Sequence, residues 1–469
     1  MGVQGERSHF RWASASYLRI SGLLSYLEDI SKPVSLKNFA GQTIGVDGYG
    51  WLHRGAVSCA IELAQGKPTN RYVDFFMGRV RMLEHFGIKP YIVLDGDYLP
   101  SKAGTELQRS SSRESSKKIG LELLKVGRSA QAFQTLQKAV EVTPEMARLV
   151  IDELRRCGVS YVVAPYEADS QLVYLEKKGL ISAILSEDSD MLVFGAKVLL
   201  TKLDKFGGTI MIRREKFTAC RRLSFAGWTD NEFRRMCILS GCDYLANMKN
   251  MGLKNAHAMV RKHKSIDRII RAIQFDGKFK VPPGYLKLFD QAEKTFLYQR
   301  VFDPKTKQLV TLNDPTPDFA DEMEGLLYIG PKIDNETAAG IALGELHPHN
   351  KGELKPAPAP VKPLQRFNTP KLRTDSGPPG GDPPITDFFA KKRIPLAELD
   401  PNTFAPTPEQ EALLARARNS EWNGYEAPVI SSNSLRTRSA PIVVHPSQEN
   451  IDPNVSSRRT ASAPLSIAR

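Results

Sequence analysis

Tyr166-Glu-Ala-Asp-Ser-Gln-Leu-Val-Tyr-Leu-Glu-Lys-Lys-Gly-Leu-Ile-Ser-Ala-Ile-Leu-Ser-Glu-Asp-Ser-Asp190 is the stretch on which the reading of this chain turns. It holds two close acidic pairs at two element boundaries. Glu167 and Asp169 stand where a helix should begin, because Pro165 interrupts the apolar run 159–164 and an amphipathic pattern through Leu172 and Leu175 follows. Asp188 and Asp190 come directly after a second strand-like run, 181–185. Carboxylates just past a strand end and carboxylates at a helix start reach the same edge of a parallel α/β sheet, the usual ligand site of such sheets. One pair alone has an ordinary reading, since acidic residues are favoured in the first turn of any helix and at any turn.

Working outward, Asp47 follows the apolar run 43–46 and Asp95 follows 91–94, while Asp243 lies in Ser240-Gly-Cys-Asp-Tyr244 after a helix expected over 230–239. Seven carboxylates (Asp47, Asp95, Glu167, Asp169, Asp188, Asp190 and Asp243) at one sheet edge would repel each other severely unless cations sat among them. Hard oxygen ligands in that number suit two Mg²⁺ ions, with Mn²⁺ as a substitute, and such a pair serves in-line attack on a phosphodiester.

A helix over 71–86, with Val73, Phe76, Met77, Val80 and Leu83 on one face, separates the first two strands. This β-α-β alternation predicts an α/β fold, a mostly parallel central sheet flanked by helices. Runs 198–200 and 209–212 extend the sheet, and Thr143-Pro144 opens a helix with Met146, Leu149, Val150 and Leu154 on its buried face. Residues 101–142 show no strand pattern and carry Lys102, Arg109, Arg113, Lys117, Lys118, Lys125, Arg128 and Lys138. That is a basic helical cap or a solvated helix face, and the acidic cluster beside it favours the cap. At 248–256 a turn containing Gly252 and Lys254 leads into another helix, whose free N-terminal amides suit a DNA phosphate, although any helix-turn-helix packing can place Gly there.

The 469 residues are 41% hydrophobic, carry a net charge of +13 and have a pI near 9.4. The core can be large, and the charge points to a polyanion, nucleic acid ahead of membrane. Five cysteines without Cys-x-x-Cys spacing argue against zinc and against a disulfide framework, and suggest a reducing compartment. No apolar run is long enough to span a bilayer and no secretory leader is evident, so a soluble intracellular protein is expected. Glu6 stands where a myristoylation signal carries Ser or Thr, which excludes that reading of Met1-Gly2. From about 335 the chain turns rich in Pro, Gly and Ser, and 335–469 is expected to lack a packed core. Within it, Ile385, Phe388 and Phe389 are spaced for docking into an apolar groove. The spacing resembles the box that binds the sliding clamp PCNA, with Asp382 in place of its leading Gln, and Lys391-Lys392-Arg393 is a candidate signal for import to the nucleus.

Asp47-Gly-Tyr-Gly-Trp-Leu-His-Arg-Gly55, Leu94-Asp-Gly96, Ala164-Pro-Tyr-Glu-Ala-Asp169, Ser186-Glu-Asp-Ser-Asp190 and Leu239-Ser-Gly-Cys-Asp-Tyr-Leu245 together resemble the flap-endonuclease (XPG-type) superfamily over about residues 21–330. Thr295-Phe-Leu-Tyr-Gln-Arg-Val-Phe-Asp303 and Trp51-Leu-His-Arg-Gly55 are similar to its exonuclease 1 branch. The resemblance implies a PIN-like core and a 5′-to-3′ exonuclease on duplex DNA with 5′ ends, nicks or flaps. It also implies 5′-flap endonuclease activity and work in the nucleus with mismatch-repair proteins, in end resection and in recombination. It makes the seven carboxylates the metal ligands, Lys102 and Arg109 the contacts to the scissile phosphate, and Tyr49 and His53 the contacts to the frayed nucleotide. Arg113 would join the cap's DNA contacts. Residues 240–275 correspond to a helix-two-turn-helix element that grips duplex DNA with a bound monovalent cation, K⁺. Two departures stand out: Ser110-Ser111-Ser112 replaces part of an Arg-rich cap, and residues 4–20 split the opening motif. That segment is either mis-spliced or a basic, aromatic DNA contact. Two other classes compete: a catalytically impaired DNA-binding scaffold, and a phosphatase built on Asp95-Gly-Asp97.

Overall fold

The computed structural model describes residues 22–277 and 279–358. Residues 4–20 and the triplet Ile385, Phe388 and Phe389 lie outside the described residues. The described chain opens with α1 (Leu23–Tyr26), β1 (Lys32–Ser35), β2 (Thr43–Asp47), α2 (Gly48–Val57), α3 (Ala60–Ala64), α4 (Arg71–His85) and β3 (Lys89–Leu94). The cap helices α5 (Ala103–Lys125) and α6 (Ser129–Leu136) precede α7 (Pro144–Cys157), β4 (Ser160–Val163), α8 (Ala168–Lys177), β5 (Ala183–Leu185), α9 (Asp190–Phe194), β6 (Val198–Thr201) and β7 (Gly208–Arg213). Then come α10 (Asp230–Leu239), α11 (Leu253–His263), α12 (Ile266–Asp276), α13 (Tyr285–Tyr298), β8 (Arg300–Asp303), β9 (Gln308–Thr311), α14 (Pro317–Ala320) and α15 (Asn335–Ala342).

The main sheet runs β1-β7-β6-β5-β2-β3-β4. Strands β4, β3, β2, β5 and β6 are mutually parallel, and β7 and β1 close one side antiparallel. The chain winds outward from β2 through β3 to β4 and then returns to β5 on the other flank of β2, which makes the carboxyl ends of β2 and β5 the topological switch point. One face packs against α8 to α13 through Leu172, Leu175, Met236 and Phe289; the other packs against α2, α4 and α7 through Leu52, Phe76, Val80 and Val150. Local signals fix the helices. Thr143 accepts from Met146 N at 3.4 Å with Pro144 in the first turn of α7, and Thr229 and Glu232 form a reciprocal capping box on α10.

The turn after β3 is pinned to the turn after β4. Gly96 N donates to the Tyr166 carbonyl at 2.6 Å and Asp97 N to the Pro165 carbonyl at 3.0 Å. A Cβ on Gly96 would stand 2.0 Å from the Ala164 carbonyl oxygen, so only glycine allows this approach.

The fold departs from the sequence reading in three places. The sheet has an antiparallel edge strand, β1, that no alternation announced, and a separate hairpin, β8–β9. The expected boundary at 335 is also wrong: residues 335–358 are folded onto the core. Ala338, Ile341 and Ala342 of α15 are buried against both core clusters, and Arg148 donates to the carbonyls of Gly344 (2.8 Å) and Leu354 (3.1 Å). Beyond them Asp97 takes His349 Nδ1 and Lys351 Nζ, each at 2.8 Å, with the Tyr98 ring stacked on His349. The composition of this segment hid it, because its buried apolar residues are few and its polar partners lie far away in the chain. Among the described residues, no helix is long and apolar enough to cross a membrane.

Gly96→Ala is expected to destabilise the protein by about 1–3 kcal/mol, the cost of forcing a methyl into a packed contact. Denaturant unfolding checks it, and an unchanged midpoint would mean the two turns can separate freely.

Candidate active site

Each parallel strand near the switch point delivers a carboxylate to the same edge. Asp47 ends β2 and caps α2, accepting from Gly50 N at 3.2 Å, and Ser186 Oγ reaches across from the end of β5 to its Oδ2 at 2.9 Å. Asp95 follows β3 and accepts from Ala168 N at 2.7 Å. Glu167 is the N-cap residue of α8, with Asp169 in that helix's first turn. Asp188 accepts from Asp190 N at 2.9 Å, and buried Asp190 begins α9. Asp243 comes from the loop after α10, and its Oδ1 is buried without a hydrogen-bond partner.

Two cations enter from the base of the cap. Lys102, ending the 3₁₀ turn Pro100–Lys102, bonds Glu167 Oε1 and lies 3.0 Å from Asp243 Oδ2, with the Tyr244 ring 5.2 Å from its Nζ. Arg109 lies one helical segment further along α5, 3.3 Å from the same Asp243 oxygen. Burial alone would lower the Lys102 pKa, but Glu167, Asp243 and Asp169 outweigh it and hold the ammonium well above its usual range. Asp169 is driven well above the carboxylate range by burial and by Asp188. Asp95 keeps an open surface but lies on a floor walled by protein. Loss of bulk water around it, then repulsion from Asp47, pushes it up to about 7. Its exposed surface lets solvent screen part of this repulsion.

As the side chains stand, no three Asp, Glu, His or Cys groups among the described residues converge closely enough to ligate one ion. Lys102 supplies the positive charge between Glu167 and Asp243 instead. The donor set nevertheless fits a divalent cation: it is all carboxylate oxygen, Asp95 and Asp169 are raised by burial and then by neighbouring carboxylates, and Asp243 offers a buried oxygen with no hydrogen-bond partner.

The remaining expected residues fall on three surfaces. Tyr49 and His53 lie one turn apart on α2; Tyr49 packs partly into the core, and burial, then Arg113 and Arg54, lower the His53 pKa, so its ring is neutral at pH 7. Arg113 is turned inward, pairing with Glu106 at 2.6 Å and Glu141 at 2.9 Å, so its charge braces the cap instead of lining an outer face. Gly252 and Lys254 are exposed at the start of α11, where no side chain caps the helix. Gly252 has extended backbone and open space around a notional Cβ, so the fold itself does not demand glycine there. The sequence reading missed Ser186, Tyr244 and Gln299. The last two both donate to Glu167 Oε2, Gln299 at 2.6 Å. Ser186 and Tyr244 lie inside the quoted motifs and Gln299 inside the run 295–303, but nothing local marks them as partners of carboxylates.

Two family models match the chain, the XPG N-terminal domain over residues 18–116 and the XPG I-region over 158–243. The DNA damage-inducible protein DIN7 of Saccharomyces cerevisiae is 39% identical over 350 residues, spanning 70% of this chain and 81% of that protein. The chain belongs to the XPG-type nucleases of the exonuclease 1 family. Exonuclease 1 of Xenopus laevis is 43% identical over 71% of this chain and 46% of its own length, and exodeoxyribonuclease 1 of Saccharomyces cerevisiae is 39% identical over 71% and 50%. The chain therefore spans about half the length of these two exonuclease 1 family members. The two XPG matches carry all seven carboxylates between them, Asp243 being the last residue of the second.

A carboxyl whose pKa is higher in the folded than in the unfolded state keeps its proton on folding, so its stabilising share is full at low pH and is lost as pH rises through the folded value. For Asp95 the window runs from 3.8 to about 7. In EDTA the unfolding free energy should therefore fall across that window, and Asp95→Asn should remove part of the fall. An identical slope in the variant would mean that solvent screens this carboxylate completely.

Proposed function

We propose that the chain is a Mg²⁺-dependent 5′-to-3′ exonuclease with 5′-flap endonuclease activity on duplex DNA carrying 5′ ends, nicks or flaps. The observation that carries this reading is the meeting of strand-end carboxylates with Lys102 and Arg109 at one switch point. Similarity to exonuclease 1 of Xenopus laevis and exodeoxyribonuclease 1 of Saccharomyces cerevisiae supports it.

In this reading Asp47, Asp95, Glu167, Asp169, Asp188, Asp190 and Asp243 hold two Mg²⁺ ions, with Mn²⁺ as a substitute. Two such ions supply an activated water and stabilise the charge on the leaving 3′ oxygen. The chain's own groups do the rest. Lys102 and Arg109, released from Glu167 and Asp243, hold the scissile phosphate and neutralise its non-bridging oxygens. Tyr49 and neutral His53 receive the frayed nucleotide, stacking and hydrogen-bonding without adding charge. The uncapped start of α11, with Gly252 and Lys254, would take a phosphate of the uncut duplex through backbone amides, and residues 240–275 would hold a monovalent cation, K⁺, that adds positive charge there. Roles in the nucleus, in mismatch repair, resection and recombination, and in binding PCNA through Ile385, Phe388 and Phe389, extend the same reading.

Asp190→Ala is expected to lower cleavage of a 5′-recessed duplex in Mg²⁺ by at least about 100-fold, because removing an ion ligand exceeds the effect of removing its supports. Its DNA affinity in EDTA should match the parent protein. Equal loss of binding and cleavage would remove Asp190 from the metal site. Mononucleotide release from recessed and 5′-flap duplexes, with and without residues 4–20, tests the activity itself: cutting by both forms makes that segment a tolerated addition, and cutting only by the deletion makes the full chain an impaired form.

A further inference from the structure

Glu167 is held from behind by a residue far away in the chain. Gln299 closes α13, is fully buried, and donates Nε2 to Glu167 Oε2 at 2.6 Å, the oxygen that also accepts from the Tyr244 hydroxyl. Lys102 takes the other oxygen, Oε1. The two carboxylate oxygens therefore have separate surroundings: Oε2 is fixed to neutral donors in the protein, and Oε1 faces the cationic side of the site. The amide orientation follows from chemistry, since the reverse flip would set a carbonyl oxygen against a carboxylate.

The surroundings fix where Gln299 stands. Its N–H donates to the Thr295 carbonyl at 3.2 Å and its carbonyl accepts from Leu312 N at 3.0 Å. Buried Gln171, on the helix that Glu167 caps, donates to the Phe302 carbonyl and accepts from Phe302 N, both at 2.7 Å, locking β8 to α8. Buried Arg300 donates to the carbonyls of Gly330 and Met323. Gln299 Oε1, by contrast, is buried with no hydrogen-bond partner. An apolar side chain of similar length would fill the space without orphaning a polar atom, so packing does not explain an amide here. Its bond to Glu167 does.

We infer that Gln299 is a positioning residue: together with Tyr244 it orients the Glu167 carboxylate so that Oε1 is presented to a divalent cation. This rests on the reading of Glu167 as an ion ligand. Supports of this kind typically change ion affinity or activity by 10–100-fold when removed.

The test is calorimetric titration of the full chain with Mn²⁺, without DNA, for the parent, Gln299→Met, Glu167→Gln and the double variant. Gln299→Met should weaken Mn²⁺ binding about 10–100-fold, leave DNA affinity in EDTA unchanged, and recover most of its turnover at saturating Mg²⁺. In the Glu167→Gln background it should add little, because the carboxylate it orients is gone. Gln299→Asn keeps the amide but withdraws it by a methylene; it should lose affinity in the same direction and serves if the Met variant does not fold. If Glu167→Gln weakens the ion and Gln299→Met does not, or if Gln299→Met costs as much in both backgrounds, the inference fails alone. If Glu167→Gln leaves Mn²⁺ affinity intact, the ligand reading of Glu167 fails and the inference goes with it.

Discussion

Repulsion among carboxylates is the constraint around which this molecule is arranged. A parallel sheet with its switch point between β2 and β5 directs Asp47, Asp95 and Asp188 to one edge, the start of α8 adds Glu167 and Asp169, and the loop after α10 adds Asp243. Burial and like charge raise Asp95 and Asp169, while Lys102 is held firmly protonated between Glu167 and Asp243. Helix starts at α2, α8 and α9 put positive dipole ends beneath several of these groups, which offsets part of the cost. Lys102 thus supplies counter-charge between two of the carboxylates.

The cap follows from the same need. Gly120 is the one buried residue of α5 among those described, so this 23-residue helix is fastened by its ends and by α6 rather than by a core stripe. Its base sits where Lys102 and Arg109 can enter the acidic floor, and Arg113 ties its middle to Glu106 and Glu141. The loop leading to that base is itself tethered. Asp97 binds His349 and Lys351, which arrive from the segment after α15, and Ser101 Oγ donates to the Tyr328 carbonyl at 3.3 Å. Residues late in the chain therefore position the loop that carries Asp95 at one end and Lys102 at the other.

Function and stability oppose each other at this edge. A site of paired, hydrogen-bonded acids is less favourable than an apolar plug of equal volume, and removing one partner leaves an uncompensated charge. The surrounding core meets that cost with two extensive apolar clusters, one on each face of the sheet. Two of the buried polar atoms without a hydrogen-bond partner, Asp243 Oδ1 and Gln299 Oε1, lie in the site or directly behind it.

The sequence alone determined what is local. Apolar runs ending in Asp47, Asp95 and Asp188, the Thr143-Pro144 helix start and the periodicity of α4 each place a residue relative to its own strand or helix, so the parallel core, the helical cap and the acidic edge were legible. Tertiary structure alone decided the partners. Gln299 stands 132 residues from Glu167, and His349 stands 252 from Asp97. Periodicity carries no record of such pairings, because they depend on how whole helices and strands pack. The antiparallel pairing of β1 with β7 and the docking of residues 335–358 are of this kind, set by contacts between segments far apart in the chain, whereas Arg113 finds its partners Glu106 and Glu141 within the cap and just beyond it.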